Sequence, residues 1–334
     1  MLTNWNQEVD VDGRPPLLVL VGPTAVGKTA LSLKLAKALN AEVISGDSMQ
    51  VYKRMDIGTA KLLPDDREGV PHHLIDIREP EYPFSVSEFQ QLCGEAIADI
   101  HGRGKLPFIV GGTGLYVESV CYGFRFQDIG SDERFREEMR AFAQSEGAQA
   151  LHDRLNAVDP VTAAKLHPND EGRIIRALEV FRLTGIPLSD SQDQSRGDDK
   201  ASPYRLCIIG LTMDREELYR RIDARVDGML EEGLVEEVSS LLRDGVPREA
   251  VAMRGLGYKE IAAYLAGETD YDEAVRLLKR DTRHFAKRQL SWFRHMKGLE
   301  WVDVGDGSKN SDVFKRICDI IAGKFHIDIE YIWT

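Results

Sequence analysis

From Leu17 to Thr29 the chain reads Leu-Leu-Val-Leu-Val-Gly-Pro-Thr-Ala-Val-Gly-Lys-Thr, an apolar run that passes directly into a glycine-framed loop. Leu17 to Val21 has the length and branching of a buried parallel strand. The pattern G-x-x-x-x-G-K-[ST] follows at once as Gly22, Pro23, Thr24, Ala25, Val26, Gly27, Lys28 and Thr29. The glycines let backbone N–H groups turn inward on phosphate oxygens, and Lys28 adds a point charge. Thr29 offers a hydroxyl to a magnesium ion, and the helix expected through about Leu39 presents its positive end to the anion. The predicted class is α/β, a P-loop NTPase-like parallel sheet flanked by helices. What lies beyond the phosphates stays open, because a kinase, an NTPase and a transferase using another diphosphate share this loop.

The 334 residues exceed one typical domain, which fits a single α/β domain carrying an insertion. Residues 1–16 read as a flexible leader without a signal peptide. The α/β core spans 17–130 and 203–310 and ends in basic helices. From 131 to 190 strand signals vanish and apolar residues recur at three and four, which predicts an inserted all-helical subdomain. A polar link follows at 191–202, and 311–334 is a tail helix. No apolar stretch approaches the roughly 20 residues of a membrane span. The four scattered cysteines, Cys93, Cys121, Cys207 and Cys318, suit reduced thiols in cytoplasm. A net charge of -12 argues against indiscriminate polyanion binding, so local patches must carry any nucleic-acid contact.

Glu42 to Ser45 reads as a second strand that delivers Asp47, Ser48, Met49 and Gln50 to its carboxyl end, where open parallel sheets bind ligands. Asp47 is a candidate magnesium ligand or general base, or else a turn aspartate. Met55 to Lys61 is a polar loop whose lysine could meet phosphate. His72 to Ile77 predicts a third strand, and Ser85-Val-Ser-Glu88 a capping box opening a helix to about Arg103. Phe108 to Val110 is a fourth strand ending in Gly111-Gly-Thr-Gly114, not in an acidic residue. Thr113 can present its hydroxyl there.

Later segments are basic. Arg173 and Arg176 share a helix face, either as RNA backbone contacts or as wet surface. Asp214 opens a helix with Arg221 and Arg225, which either neutralise a leaving group or form surface ion pairs. Arg254-Gly-Leu-Gly257-Tyr258-Lys259 is a loosened basic turn with a tyrosine expected to be exposed for stacking. From Lys279 to Lys297 seven Lys or Arg face one acid, Asp281, a local +6. Arg276, Arg280, Arg283 and Lys287 form a helical stripe that awaits an anion. Trp301 to Val304 suggests a last strand.

Six ordered motifs, Gly22 to Thr29, Asp47 to Tyr52, Met55 to Lys61, Gly111 to Gly114, His167 to Asp170 and Arg254 to Tyr258, resemble the tRNA dimethylallyltransferases. The resemblance covers roughly Leu17 to Val304. It implies transfer of a dimethylallyl group from dimethylallyl diphosphate to the exocyclic amine of the adenosine 3' of the tRNA anticodon, with Mg2+ and loss of pyrophosphate. Carried across, Asp47 is the base and the residues from Gly22 to Thr29 hold the diphosphate. Thr24 joins the catalytic set, as does Arg221 or Arg225, two neighbours that the sequence does not separate. Ser48, Met49, Gln50 and Thr113 meet the target nucleotide. Arg173, Arg176, Arg254, Gly257, Tyr258, Lys259, Arg280, Arg283, Lys287 and Arg288 meet the anticodon stem-loop. The zinc finger of some eukaryotic relatives has no counterpart in the cysteine and histidine spacing here. A monomer is expected. The competing readings are an ATP-dependent small-molecule kinase and a nucleotide-driven RNA-binding switch.

Overall fold

The computed structural model describes residues 5, 13–126, 129–190, 202–305 and 310–327. Six parallel strands form one sheet in the order β3-β2-β4-β1-β5-β6. They are β1 (Pro16–Val21), β2 (Ala41–Gly46), β3 (His72–His73), β4 (Leu106–Gly111), β5 (Arg205–Thr212) and β6 (Leu299–Asp303). Every residue of β1 and β2 is buried, as expected of strands covered on both faces. Val21 and Gly46 both register with Gly111, so β2, β4 and β1 finish level, while β5, whose Gly210 registers with Val21, runs two residues further. Loops far apart in sequence therefore emerge side by side.

The first helices are α1 (Lys28–Ala38), α2 (Val86–Gly102) and α3 (Gly114–Cys121). Next come α4 (Glu133–Glu146), α5 (Ala148–Val158), α6 (Pro160–Ala163) and α7 (Glu171–Thr184). The chain then runs through α8 (Arg215–Glu231), α9 (Leu234–Arg243), α10 (Tyr258–Leu265), α11 (Tyr271–Phe293) and α12 (Asn310–Phe325). It divides into two compact units, Met1–Gly123 with Ser202–Thr334, and Phe124–Ala201. In the first unit the period-2 alternation of β1 feeds two cores. Leu17, Val19 and Val21 join Phe89 and Cys93 of α2 and Val117 of α3, while Leu18 and Leu20 join Leu33 of α1, Ile222 of α8 and Ile317 of α12. The second unit holds a helical core of its own around Phe135, Leu151, Leu155, Ile174 and Leu178. No described helix is long and apolar enough to cross a membrane.

Several local expectations are corrected. The third strand covers only His72–His73, because Leu74 (φ 61°) and Asp76 (φ 58°) turn the chain aside and Asp76 N–H and Ile77 N–H bond Gln50 and Val51 carbonyls instead. The leader is anchored where it is described: Trp5 is fully buried, its indole N–H donates to Leu39 O at 2.7 Å, and its ring meets Phe325 edge-on. The C-terminal helix is likewise core, packing Val313, Ile317, Ile321 and Phe325 under β5 and β6. Ser85 caps α2 by accepting Glu88 N–H, but the Glu88 carboxylate holds Arg78 and leaves the box half formed. Of the polar link at 191–202, residues 191–201 lie outside the described residues. All four cysteines are buried, and burial pushes their thiols up.

Candidate active site

The carboxyl ends of the strands border a cavity of about 700 Å³. Its floor is the loop after β1. Gly27 takes φ 100°, a conformation favouring glycine, and caps α1 without any side chain, so the first N–H groups of α1 remain available to an anion. Ala25 is held at φ 64°, the kind of strain that persists where surrounding structure enforces a functional turn. Lys28 folds its ammonium back on Gly22 O (2.9 Å) and Pro23 O (2.8 Å). Thr29, the first-turn threonine, lines the same cavity.

Electrostatically this corner is unusual. Burial, and next the nearby Arg225 guanidinium, push the Lys28 amine down to about 7, while Asp47 pulls it back up. Arg225 is itself lowered by burial and supported by Asp47 and Glu232. Two shielded cations thus lie beside Asp47, the one carboxylate among the described residues of the cavity lining, with Glu232 acting on Arg225 alone. Such an excess is unfavourable without an anion and favourable with one. Arg221, one helical turn earlier, also lines the cavity, but its side chain is 42% exposed and its Nε donates to Glu217 at 2.7 Å. The two arginines that the sequence left unseparated therefore differ in environment.

Across the cavity, the end of β2 delivers Asp47. Its Oδ1 accepts Met49 N–H at 2.8 Å, the only hydrogen bond of that carboxylate among the described residues. Thr113 accepts Ser48 N–H at 3.0 Å and donates to Ser48 Oγ at 3.3 Å, tying the turn after β4 to the turn after β2. Gln50 lines the wall, yet both amide ends are engaged internally, accepting from Ser45 Oγ at 2.9 Å and donating to Thr59 O at 3.3 Å. Met49, Arg254 and Arg288 also face this space.

Other candidates are recast by the fold. Tyr258, expected exposed, is fully buried and donates to Glu237 Oε1 at 2.6 Å; its hydroxyl is pushed up by burial and by that carboxylate. Glu237 also accepts the N–H groups of Asp56, Ile57 and Gly58, so it pins the 55–61 loop. Lys61 is no phosphate ligand as placed, being buried between Asp56 and Asp76 at 2.6 Å each. Gly257 is an internal cap whose N–H donates to Glu260. Arg176 clamps the buried Glu179 together with Arg136, whereas Arg173 stays exposed. On α11 the stripe is largely neutralised: Arg276 meets Glu273, Lys279 meets Asp227, Arg280 meets Asp281, and Arg283 grips Asp223 with 2.6 and 2.8 Å contacts. Lys259 also leans on Asp281 at 3.1 Å. Lys287 and Arg288 have no carboxylate partner among the described residues.

One position that ties the site's loops together escaped sequence reasoning. Gln289 of α11 is buried, accepts Thr24 N–H at 2.9 Å and donates to Gly112 O at 2.9 Å. The available signal was a glutamine in the buried stripe Leu278, Thr282, Ala286, Gln289, Phe293.

Comparison with known proteins follows from this geometry. Two family models match, IPP transferase over residues 50–296 and isopentenyl transferase over 15–79. The tRNA dimethylallyltransferase of Geobacillus thermodenitrificans is 52% identical over 93% of this chain and 98% of its own. That of Carboxydothermus hydrogenoformans is 54% identical over 92% and 98%. Among solved structures, the Bacillus halodurans tRNA isopentenylpyrophosphate transferase aligns with a TM-score of 0.70 at 50% identity, covering 93% of this chain and 97% of that one. A eukaryotic dimethylallyltransferase acting on tRNA aligns at 0.74 with 30% identity over 94% and 81%.

Proposed function

The chain belongs to the IPP transferase family of tRNA dimethylallyltransferases, and from that premise we propose how it moves a dimethylallyl group from dimethylallyl diphosphate to the exocyclic amine of the adenosine 3' of the tRNA anticodon. What supports the assignment of roles is the charge imbalance of the cavity, where Lys28 and Arg225 are shielded beside the single carboxylate of Asp47. The loop Gly22 to Thr29 holds the diphosphate, with Lys28 and the first N–H groups of α1 on its oxygens. Arg225, in preference to Arg221, neutralises the charge that builds on the departing pyrophosphate. As the allylic C–O bond breaks, the adenine amine forms the new C–N bond and its proton passes to Asp47. Thr24, Ser48, Met49 and Thr113 line the passage of the base. Adenine reaches them by leaving its stack, which costs less in a loop than in a duplex.

Magnesium fits this arrangement through the hydroxyl of Thr29. Thr29 lines the cavity beside the diphosphate loop, and its hydroxyl would hold the ion together with diphosphate oxygens. When bound, the ion supplies positive charge to the leaving group. Arg173, Arg254, Lys287 and Arg288 are the exposed cations left for RNA phosphates. We place the reaction in the cytoplasm and in a monomer.

Purified protein given magnesium, labelled dimethylallyl diphosphate and unmodified tRNA yields labelled tRNA without ATP. Asp47→Asn lowers kcat by about 10²–10⁴-fold with unchanged circular dichroism. Label uptake that requires ATP, or an Asp47→Asn enzyme of normal kcat, contradicts the assignment.

A further inference from the structure

The amide of Gln289 spans the two loops that leave the neighbouring strands β1 and β4. On one side is Thr24 N–H of the donor loop, on the other Gly112 O of the turn after β4, each at 2.9 Å. A primary amide suits this pair because it carries an acceptor and a donor on one rigid plane, and the partners fix which end points where. The fit is tight, since a Cβ at residue 112 would lie 2.2 Å from the Gln289 amide nitrogen. Beyond Gly112, Thr113 holds Ser48 through its N–H and hydroxyl, and Ser48 adjoins Asp47. A continuous run of polar contacts thus leads from the loop of the donor to the base.

We propose that Gln289 is a positioning residue which sets the spacing between the diphosphate loop and Asp47. This rests on the roles assigned above to that loop and to Asp47. Its contribution is geometric: the Thr24 N–H is committed to Gln289, which restrains the loop against the turn after β4. Misplacement of reacting groups by about 1 Å costs on the order of 100-fold in rate even when binding survives. Gln289→Leu keeps the volume roughly constant and removes both contacts. Its kcat should fall about 100-fold, while KM for dimethylallyl diphosphate and for tRNA each move less than about threefold. Gln289→Glu gives the second readout. Ionised, that side chain can accept from Thr24 but not donate to Gly112; protonated, it can do both. The ratio of its kcat to wild type should therefore rise as pH falls, since Lys28, Asp47, Arg225 and Arg288, the charged groups facing the same cavity, are common to both enzymes.

Both variants are assayed beside the wild-type enzyme, with circular dichroism and thermal melting as folding controls. An inactive wild type would fault the assigned reaction, whereas an active wild type isolates Gln289. A folded Gln289→Leu with normal kcat, or with a raised donor KM and intact kcat, overturns the proposal. Should Gln289→Leu fail to fold, the Gln289→Glu ratio decides, and a ratio independent of pH overturns it.

Discussion

Two basic regions, the loop corner around Lys28 and the stripe on α11, look alike in sequence and differ in the fold. On α11 four cations each have a carboxylate within 3 Å, two of them supplied by Asp223 and Asp227 of α8. In the corner, burial lowers both Lys28 and Arg225, Arg225 lowers Lys28 further, and Asp47 is the carboxylate that supports both. A cluster of positive residues is therefore weak evidence for an anion until its partners are known. Shielded cations left in excess are stronger evidence, because their cost is recovered only when the anion arrives.

The sharpest test of that contrast separates Arg225 from Arg221. Arg225→Gln removes a shielded cation from the leaving-group side and should lower kcat/KM for dimethylallyl diphosphate about 100-fold. Arg221→Gln, which gives up a half-exposed pair with Glu217, should change it less than about threefold. Steady-state kinetics with donor varied checks both. Equal losses would erase the distinction between paired and unpaired cations in this cavity.

A smaller effect follows from Lys28. Its amine, pushed down to about 7, is charged below that pH and neutral above it. A bound diphosphate favours the ammonium, so its folded-state value rises on binding and a proton is taken up. Affinity for pyrophosphate should accordingly fall as pH rises through about 7, by at most tenfold per pH unit for one proton. Lys28→Arg keeps the charge at all these pH values. Calorimetric titration of both proteins isolates Lys28 as the difference, since the ligand's own protonation is common to them. Parallel curves would mean that Lys28 is ordinary.

The same contrast explains what could be read in advance. Strand, loop and helix at Leu17 to Leu39 are local events, specified by branched residues, by Gly27 at its left-handed φ, and by the spacing of the motif. The place of Asp47 was equally legible, one residue past a short apolar strand whose end, Gly46, registers with Gly111. Features that depended on a distant partner were not. Tyr258 is buried because Glu237 lies 21 residues earlier on α9. His72 to Ile77 fails as a strand because Lys61 draws Asp76 out of line and the chain bonds back on residues 50 and 51. Trp5 enters the core through Leu39, Gly104 and Phe325 of α12, all far away in sequence. Gln289 looked like one polar residue on a helix until its partners at 24 and 112 came together.

The smallest predicted effects lie on α11, where the contrast can be broken most directly. Lys287→Gln with Arg288→Gln removes two exposed cations without carboxylate partners, one of them on the cavity wall. Tight phosphate contact by both would make KM for tRNA rise several-fold and the slope of log affinity against log salt fall by nearly two. Arg283→Gln should change the same quantities by less than about twofold, because its guanidinium is already bound by both oxygens of Asp223 and would have to abandon a partly buried pair to reach RNA. Asp223→Asn sharpens the comparison further: it releases Arg283, so tRNA binding should tighten slightly and become more salt-sensitive. Filter binding across a salt series measures all three. If Arg283→Gln costs as much as the double variant, the pairing in the free enzyme is exchanged for phosphate on binding, and the carboxylates of α8 act as a gate on the stripe instead of silencing it.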